Sequence, residues 1–274
     1  MTDSPNAVPV MKTAQAGFAF MQARWREALP VAIISALGGT ALNLSLMVGA
    51  GALVTLAATA GALATGAVFS GAAYRVALGR DAAFAPRFGH DEQRLIMLAI
   101  ALAAFLMLVG VAAFIPVMLV VFSVAASQAG IEAIESAQVN TQAGLFEVLG
   151  PAGSILYVIG AAGVAGLIVW LGLRLCLAQA ATVGQQRFIM LKTWPWTKGD
   201  TLRILGALLI AMAPPILIIA VIQAGLVGLA ASSVPALGLM YFAANLASTL
   251  TAGLIGAGLF SFLYQGLRPP SEGA

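Results

Sequence analysis

The chain has 274 residues, of which 61% are hydrophobic and 8% charged, with 13 Lys and Arg against 10 Asp and Glu for a net charge of +3. A soluble domain of similar length carries roughly a quarter charged residues, so this composition excludes an ordinary water-exposed surface and points to lipid as the solvent. The single cysteine, Cys176, excludes an intrachain disulfide and a cysteine-built zinc cluster, and the bases form no patch interleaved with aromatics of the kind that binds nucleic acid.

The start, MTDSPNAVPVMK, has no basic stretch running directly into an apolar one, so no cleaved signal peptide is expected and residues 1–10 read as a disordered tail. Residues 11–27 mix Lys12, Gln15, Gln22, Arg24 and Arg26 with Phe18, Phe20, Met21 and Trp25, the pattern of an amphipathic helix lying in the membrane interface. An all-α bundle of six spanning helices is expected over 28–265. No charge occurs from Ala28 to Tyr74, too long a run for one ordinary span. It divides into helices near 29–48 and 53–74 about a turn at Gly49, Ala50 and Gly51.

The third span, 95–127, would reach about 50 Å as a straight helix against a hydrocarbon core of about 30 Å, so it must tilt, kink or project. Pro116 is the expected kink. Residues 130–150 form the longest polar connection, with Glu132, Glu135 and Glu147. The fourth span covers 152–173 behind Pro151, the fifth 204–229 across Pro214 and Pro215, and the sixth 236–263 after an SSVP turn. Residues 266–274 read as a frayed tail.

With six crossings, all 13 Lys and Arg fall on the side of both termini, while the opposite connections hold only glutamates as charges. That asymmetry predicts a multi-pass membrane protein with cytoplasmic termini. A weak repeat, 53–127 and 152–229, accompanies it. GAAYRVAL (71–78) and LGLRLCL (171–177) each place an arginine in the last helical turn, and Gly89, Asp91 and Arg94 then parallel Gly199, Asp200 and Arg203. Thr197 and Asp200 have capping-box spacing. Duplication and shared boundary chemistry both account for the similarity.

RFGHDEQRL (87–95) concentrates five ionisable residues, including the only histidine. His90, Asp91 and Glu92 are weak candidates for a metal or an acid–base pair, but consecutive residues point in different directions around a helix and give no converged ligand set. Helix capping and topology are the plainer reading, and no cofactor motif is present. Arg75 and Arg174, near the inner ends of their helices, either snorkel to headgroups or clamp a lipid phosphate or other anion. Arg87, Arg94, Lys198 and Arg203 extend that headgroup-binding set, while Trp25, Trp194 and Trp196 read as interfacial anchors.

Within the spans, Asn43, Gln128, Gln179, Gln223 and Asn245 are amides suited to interhelical hydrogen bonds or a polar cavity, Gln128 and Gln179 near the interfaces. Gly61, Gly66 and Gly71, Gly160, Gly163 and Gly166, and Gly253, Gly256 and Gly258 read as close-packing seams. No acid lies at mid-depth, which argues against a carboxylate relay for coupled transport.

Thr193 with Trp194, followed by Thr197, Lys198 and Gly199 ahead of a late helix, resembles the bacterial YciC-like proteins and the membrane domain of glycerophosphoryl diester phosphodiesterases. RFGHDEQRL looks like an inner loop of related proteins. The resemblance covers about 40 residues and implies a helical inner-membrane domain, without diesterase activity because the soluble catalytic domain has no counterpart here. The expected function is non-catalytic binding or assisted transport of a lipid or small amphiphile. The alternatives are a structural or regulatory subunit docking a partner protein or a second copy, and a membrane enzyme using residues 87–94.

Overall fold

The computed structural model describes residues 8–129, 142–230 and 234–269, and every regular element among them is helical, with no strand. Six helical stretches are long and apolar enough to cross a membrane, with peak mean hydropathy from 1.6 to 2.9. Their large apolar side chains are widely bare: Leu53 is 82% exposed, Met107 72% and Val221 72%. In water such a surface would drive association; in a bilayer it is solvated by lipid tails. The fold is therefore that of a polytopic transmembrane helical bundle.

Helix α1 (Val10–Met47) is continuous, with Pro30 inside it. The stretch expected as a separate interfacial helix is thus the first part of the same rod as the first span. A proline removes one backbone hydrogen bond, and the apolar residues on either side keep the remainder of the ladder dry. Within the stretch expected as a tail, Val8 is buried and its N–H donates to Asp200 Oδ1 at 3.3 Å. The expected turn follows α1, with Gly49 at φ 61°, a left-handed conformation that favours glycine. Helix α2 (Ala52–Ala77) ends in a loop where Gly79 has φ 71°.

Helix α3 (His90–Ala129) starts five residues before the apolar run because acids stabilise its first turn. Helix α4 (Gln142–Leu175) breaks at Gly150 (φ 61°, ψ −178°), so Pro151 opens its long second part. Short α5 (Ala178–Gly184) and a 3-10 turn (Leu191–Thr193) form the next connection. Helix α6 (Thr201–Ala230) contains Pro214 and Pro215. The sixth span is composite: α7 (Val234–Ser248), a π-helical turn (Thr249–Gly253) and α8 (Leu254–Leu267). Thr249 and Thr251 donate to the carbonyl oxygens of Asn245 and Ala247 at 2.8 and 2.6 Å. These bonds compete for carbonyls that the helix ladder uses, a local cause for the widened turn. Of the connection expected at 130–150, residues 142–149 are instead helical as the first part of α4, while 130–141, 231–233 and the ends of both tails lie outside the described residues.

The chain forms two compact units, Met1–Ile100 with Leu173–Ala274, and Ala101–Gly172. In the first, α1 is the common partner of α2, α6, α7 and α8. A Cβ on Gly17 would lie 2.7 Å from the Ile255 carbonyl oxygen, and one on Gly258 2.6 Å from Phe20 Cβ, so small residues set the α1–α8 approach. Asn245 Nδ2 donates to Thr40 Oγ1 at 3.3 Å, the interhelical amide bond expected of such a residue. In the second unit, Val121, Ala125 and Leu149 form a small core, with Tyr157 edge-on to Phe114 and Phe146.

The glycine seams are real at Gly71, Gly160, Gly253 and Gly258, and Gly17 and Gly39 add positions not anticipated. Gly61, Gly66, Gly163 and Gly166 do not fit that expectation: none has a neighbour within 4 Å of a Cβ position among the described residues.

Candidate functional site

The loop after α2 gathers most of the charged residues singled out by sequence. Arg75, in the last turn of α2, is 3% exposed. Its Nε donates to Asp81 Oδ2 at 2.9 Å, its Nη1 pairs with Glu92, and Asp91 Oδ2 stands 3.9 Å from Nη1. Nη2 is buried with no hydrogen-bond partner among the described residues. Glu92, 1% exposed, also accepts the Gly89 N–H at 2.8 Å, which is half of a capping box. Gly71 makes room for the pair, since a Cβ there would sit 2.5 Å from Glu92 Oε1.

Around this core, Asp91 holds Arg80 at 3.1 Å and Arg94 at 3.4 Å, and Arg80 also donates to the Val183 carbonyl of α5. Arg87, 53% exposed, pairs with Asp81. Burial raises the Asp81 carboxyl, but hydrogen bonds and charge from Arg87 and Arg75 outweigh it and hold the group below the ordinary aspartate value. Chemically, the cluster fastens the loop and the start of α3 to α2 and α5. His90 is exposed at the head of α3, apart in direction from buried Glu92. Among the described residues no three of His, Cys, Asp and Glu are grouped to hold a metal.

Arg174 occupies the matching helix end but a different setting: its guanidinium carbon lies 5.8 Å from the Trp194 ring centroid. The capping box expected at Thr197 and Asp200 is not formed. Thr197 is buried and donates to the carbonyls of Arg174 and Trp194, 3.2 Å each, while Asp200 accepts from Val8. Burial in an apolar surrounding turns Thr197 toward the Arg174 carbonyl, left over at the end of α4, and the Trp194 carbonyl of its own turn. Gly199, at φ 95°, then permits the reversal into α6. Trp196 stacks obliquely on Tyr264 at 6.1 Å, Trp25 is 43% exposed under Arg26 at 5.2 Å, and Lys198 is exposed. Arg203 lies 3.8 Å from Asp200.

A cavity of about 180 Å³ lies on the other face of the end of α2. Its walls include Ser70 and Tyr74 from α2, Gln179 from α5, Met212 from α6, and Gly256 and Phe260 from α8. Ala252 and Gly253 of the π turn complete one side. The Tyr74 hydroxyl donates to Gln179 Oε1 at 3.1 Å. Sequence reasoning singled out Gln179 as an amide and Gly256 as a seam, but missed Ser70, Tyr74, Met212 and Phe260. One signal was available: Ser70 and Tyr74 are four apart, hence on one helix face, in a stretch otherwise made of Gly and Ala. None of the headgroup-binding candidates lines the cavity.

Six long apolar helices, an ion-paired cluster at helix ends and a cavity between helices define a polytopic α-helical membrane protein. Comparison with protein-family models, curated proteins and solved structures returns no match.

Proposed function

We propose that the protein is a non-catalytic component of a bacterial inner membrane, with both termini cytoplasmic, that binds a lipid or small amphiphile and assists its transport. The observation that carries this reading is the cavity between α2, α6 and the π-bearing sixth span. Pockets between helices of a bundle are common ligand sites, and π turns recur at functional positions. Asp91 and Glu92 are engaged with arginines, which favours a fastening role for residues 87–94 over acid–base chemistry. The restriction of Lys and Arg to one side of six spans supports the orientation. Exposed Lys198 is then available to anionic headgroups. Kinship with the YciC-like membrane proteins, suggested by Thr193, Trp194, Thr197, Lys198 and Gly199, belongs to the same proposal.

Gly256→Leu tests it. A Cβ at Gly256 meets Met212 Cε at 3.5 Å and the Phe260 ring at 3.8 Å, ordinary contacts, so a larger side chain enters the cavity instead of displacing a helix. Native mass spectrometry of the purified protein is expected to find a bound amphiphile on the wild type and to lose it on Gly256→Leu. Equal occupancy on both counts against the cavity.

A further inference from the structure

Resting on that reading, we infer that the cavity between α2 and the π turn selects an uncharged headgroup that both donates and accepts hydrogen bonds, as in an alcohol or a hydroxyl-bearing ester, and rejects phosphate, carboxylate and ammonium groups. No residue lining the cavity is ionised at neutral pH, and its apolar walls come from Met212, Phe260, alanines and glycines. An ion brought there would leave water with no opposite charge to meet it, whereas a neutral polar group needs only hydrogen bonds.

Those bonds are on offer. Tyr74 donates its proton to Gln179 Oε1, which leaves the Tyr74 oxygen as an acceptor and the Gln179 amide nitrogen as a donor. Neither the Ser70 hydroxyl nor the Gln179 amide nitrogen makes a hydrogen bond among the described residues, and both residues line the cavity. Arg75, next to Tyr74 in sequence, is on a different face of α2 and is neutralised by Glu92 and Asp81, so it adds little attraction for an anion.

Size sets a further limit. An apolar cavity of about 150 Å³ accommodates benzene, so about 180 Å³ holds a headgroup with a short length of chain and not a whole lipid. Ser70 lies two turns from the end of α2 that carries the charged loop, about 10 Å along its axis. The headgroup of a membrane amphiphile reaches that depth with its tail still in the bilayer.

The test uses the full chain in lipid nanodiscs and a matched set of photoactivatable probes: a long-chain alkanol with a diazirine beside its hydroxyl, and the corresponding alkanoate, alkylammonium and alkane. Peptide mapping reads which helices are labelled. The alkanol is expected to label α2 and α8 at the cavity at least about tenfold more than either ionic probe. Gln179→Leu is expected to reduce alkanol labelling about tenfold and to leave alkane labelling unchanged. Equal labelling by alkanol and alkanoate, or alkanol labelling that survives Gln179→Leu, overturns the headgroup assignment while leaving the cavity as a binding site. Absence of labelling by all four probes at cavity residues, in wild type and Gly256→Leu alike, removes the binding site itself and the inference with it.

Discussion

Replacing Arg75 with methionine is expected to be among the most destabilising single changes in the loop cluster, and the geometry says which partner is responsible. Asp81 would keep Arg87, and Asp91 would keep Arg80 at 3.1 Å and Arg94 at 3.4 Å. Glu92, 1% exposed, would keep only the Gly89 N–H at 2.8 Å. Removing one member of a buried ion pair costs about 3–5 kcal/mol because the other charge is left stranded. The reverse change, Glu92→Gln, is milder: Arg75 still has Asp81 at 2.9 Å and Asp91 at 3.9 Å, so the loss is about 1.5–3 kcal/mol, the worth of a hydrogen bond to a charged group. The double variant Arg75→Met with Glu92→Met should recover to within about 1–2 kcal/mol of wild type, since apolar replacements of a buried pair are often near neutral. Unfolding in mixed micelles of rising dodecyl sulfate fraction, followed by circular dichroism, measures all three. A loss for Arg75→Met no greater than that for Glu92→Gln, or a double variant no better than Arg75→Met, would refute the stranded-charge argument.

Gly71→Ala should destabilise by about 1–3 kcal/mol in the same assay, because its Cβ would press on Glu92 Oε1 at 2.5 Å and Arg75 Nη1 at 3.1 Å. Gly66→Ala on the same helix, with nothing within 4 Å, should instead be neutral or stabilise by up to about 1 kcal/mol. Asp81 has its pKa lowered on folding, so its contribution is complete above the unfolded value of about 3.9 and disappears as pH falls through the lower folded value. Asp81→Asn should therefore flatten the acid limb of the stability–pH profile, and an unchanged limb would contradict the assignment. In a Cys176→Ala background, cysteines at Arg87 and Lys192, both exposed, should react with an impermeant maleimide only from the cytoplasmic side of oriented vesicles. Labelling of either from the opposite side would overturn the orientation.

The six spans were legible because hydrophobic length and the placement of Lys and Arg are one-dimensional properties. Helix ends were less so: α3 begins at His90 where the apolar run suggested Leu95, because a charged first turn favours the helix dipole but lowers local hydropathy. Arg75 stood out as an arginine among apolar neighbours, yet its partners lie six and 17 residues further on, and hydropathy does not reveal which carboxylates a loop folds back. The cavity was hidden for a related reason. It depends on a π turn that threonine side chains help to form, and on Ser70 and Tyr74 sharing a face with residues from three other elements.

Tyr74 and Arg75 are consecutive, so about 100° of helical rotation separates the cavity face of α2 from the face that holds the charged cluster. The last turn of α2 serves both. Its orientation is fixed by Arg75 gripping Glu92 and Asp81, and Arg80 reaching Val183 ties the same loop to the helix that carries Gln179. Loosening the cluster would free the two elements whose side chains, Tyr74 and Gln179, meet across the cavity at 3.1 Å. A buried ion pair that adds little net stability can still be decisive for position, and here the position it governs is that of the polar end of the proposed ligand site.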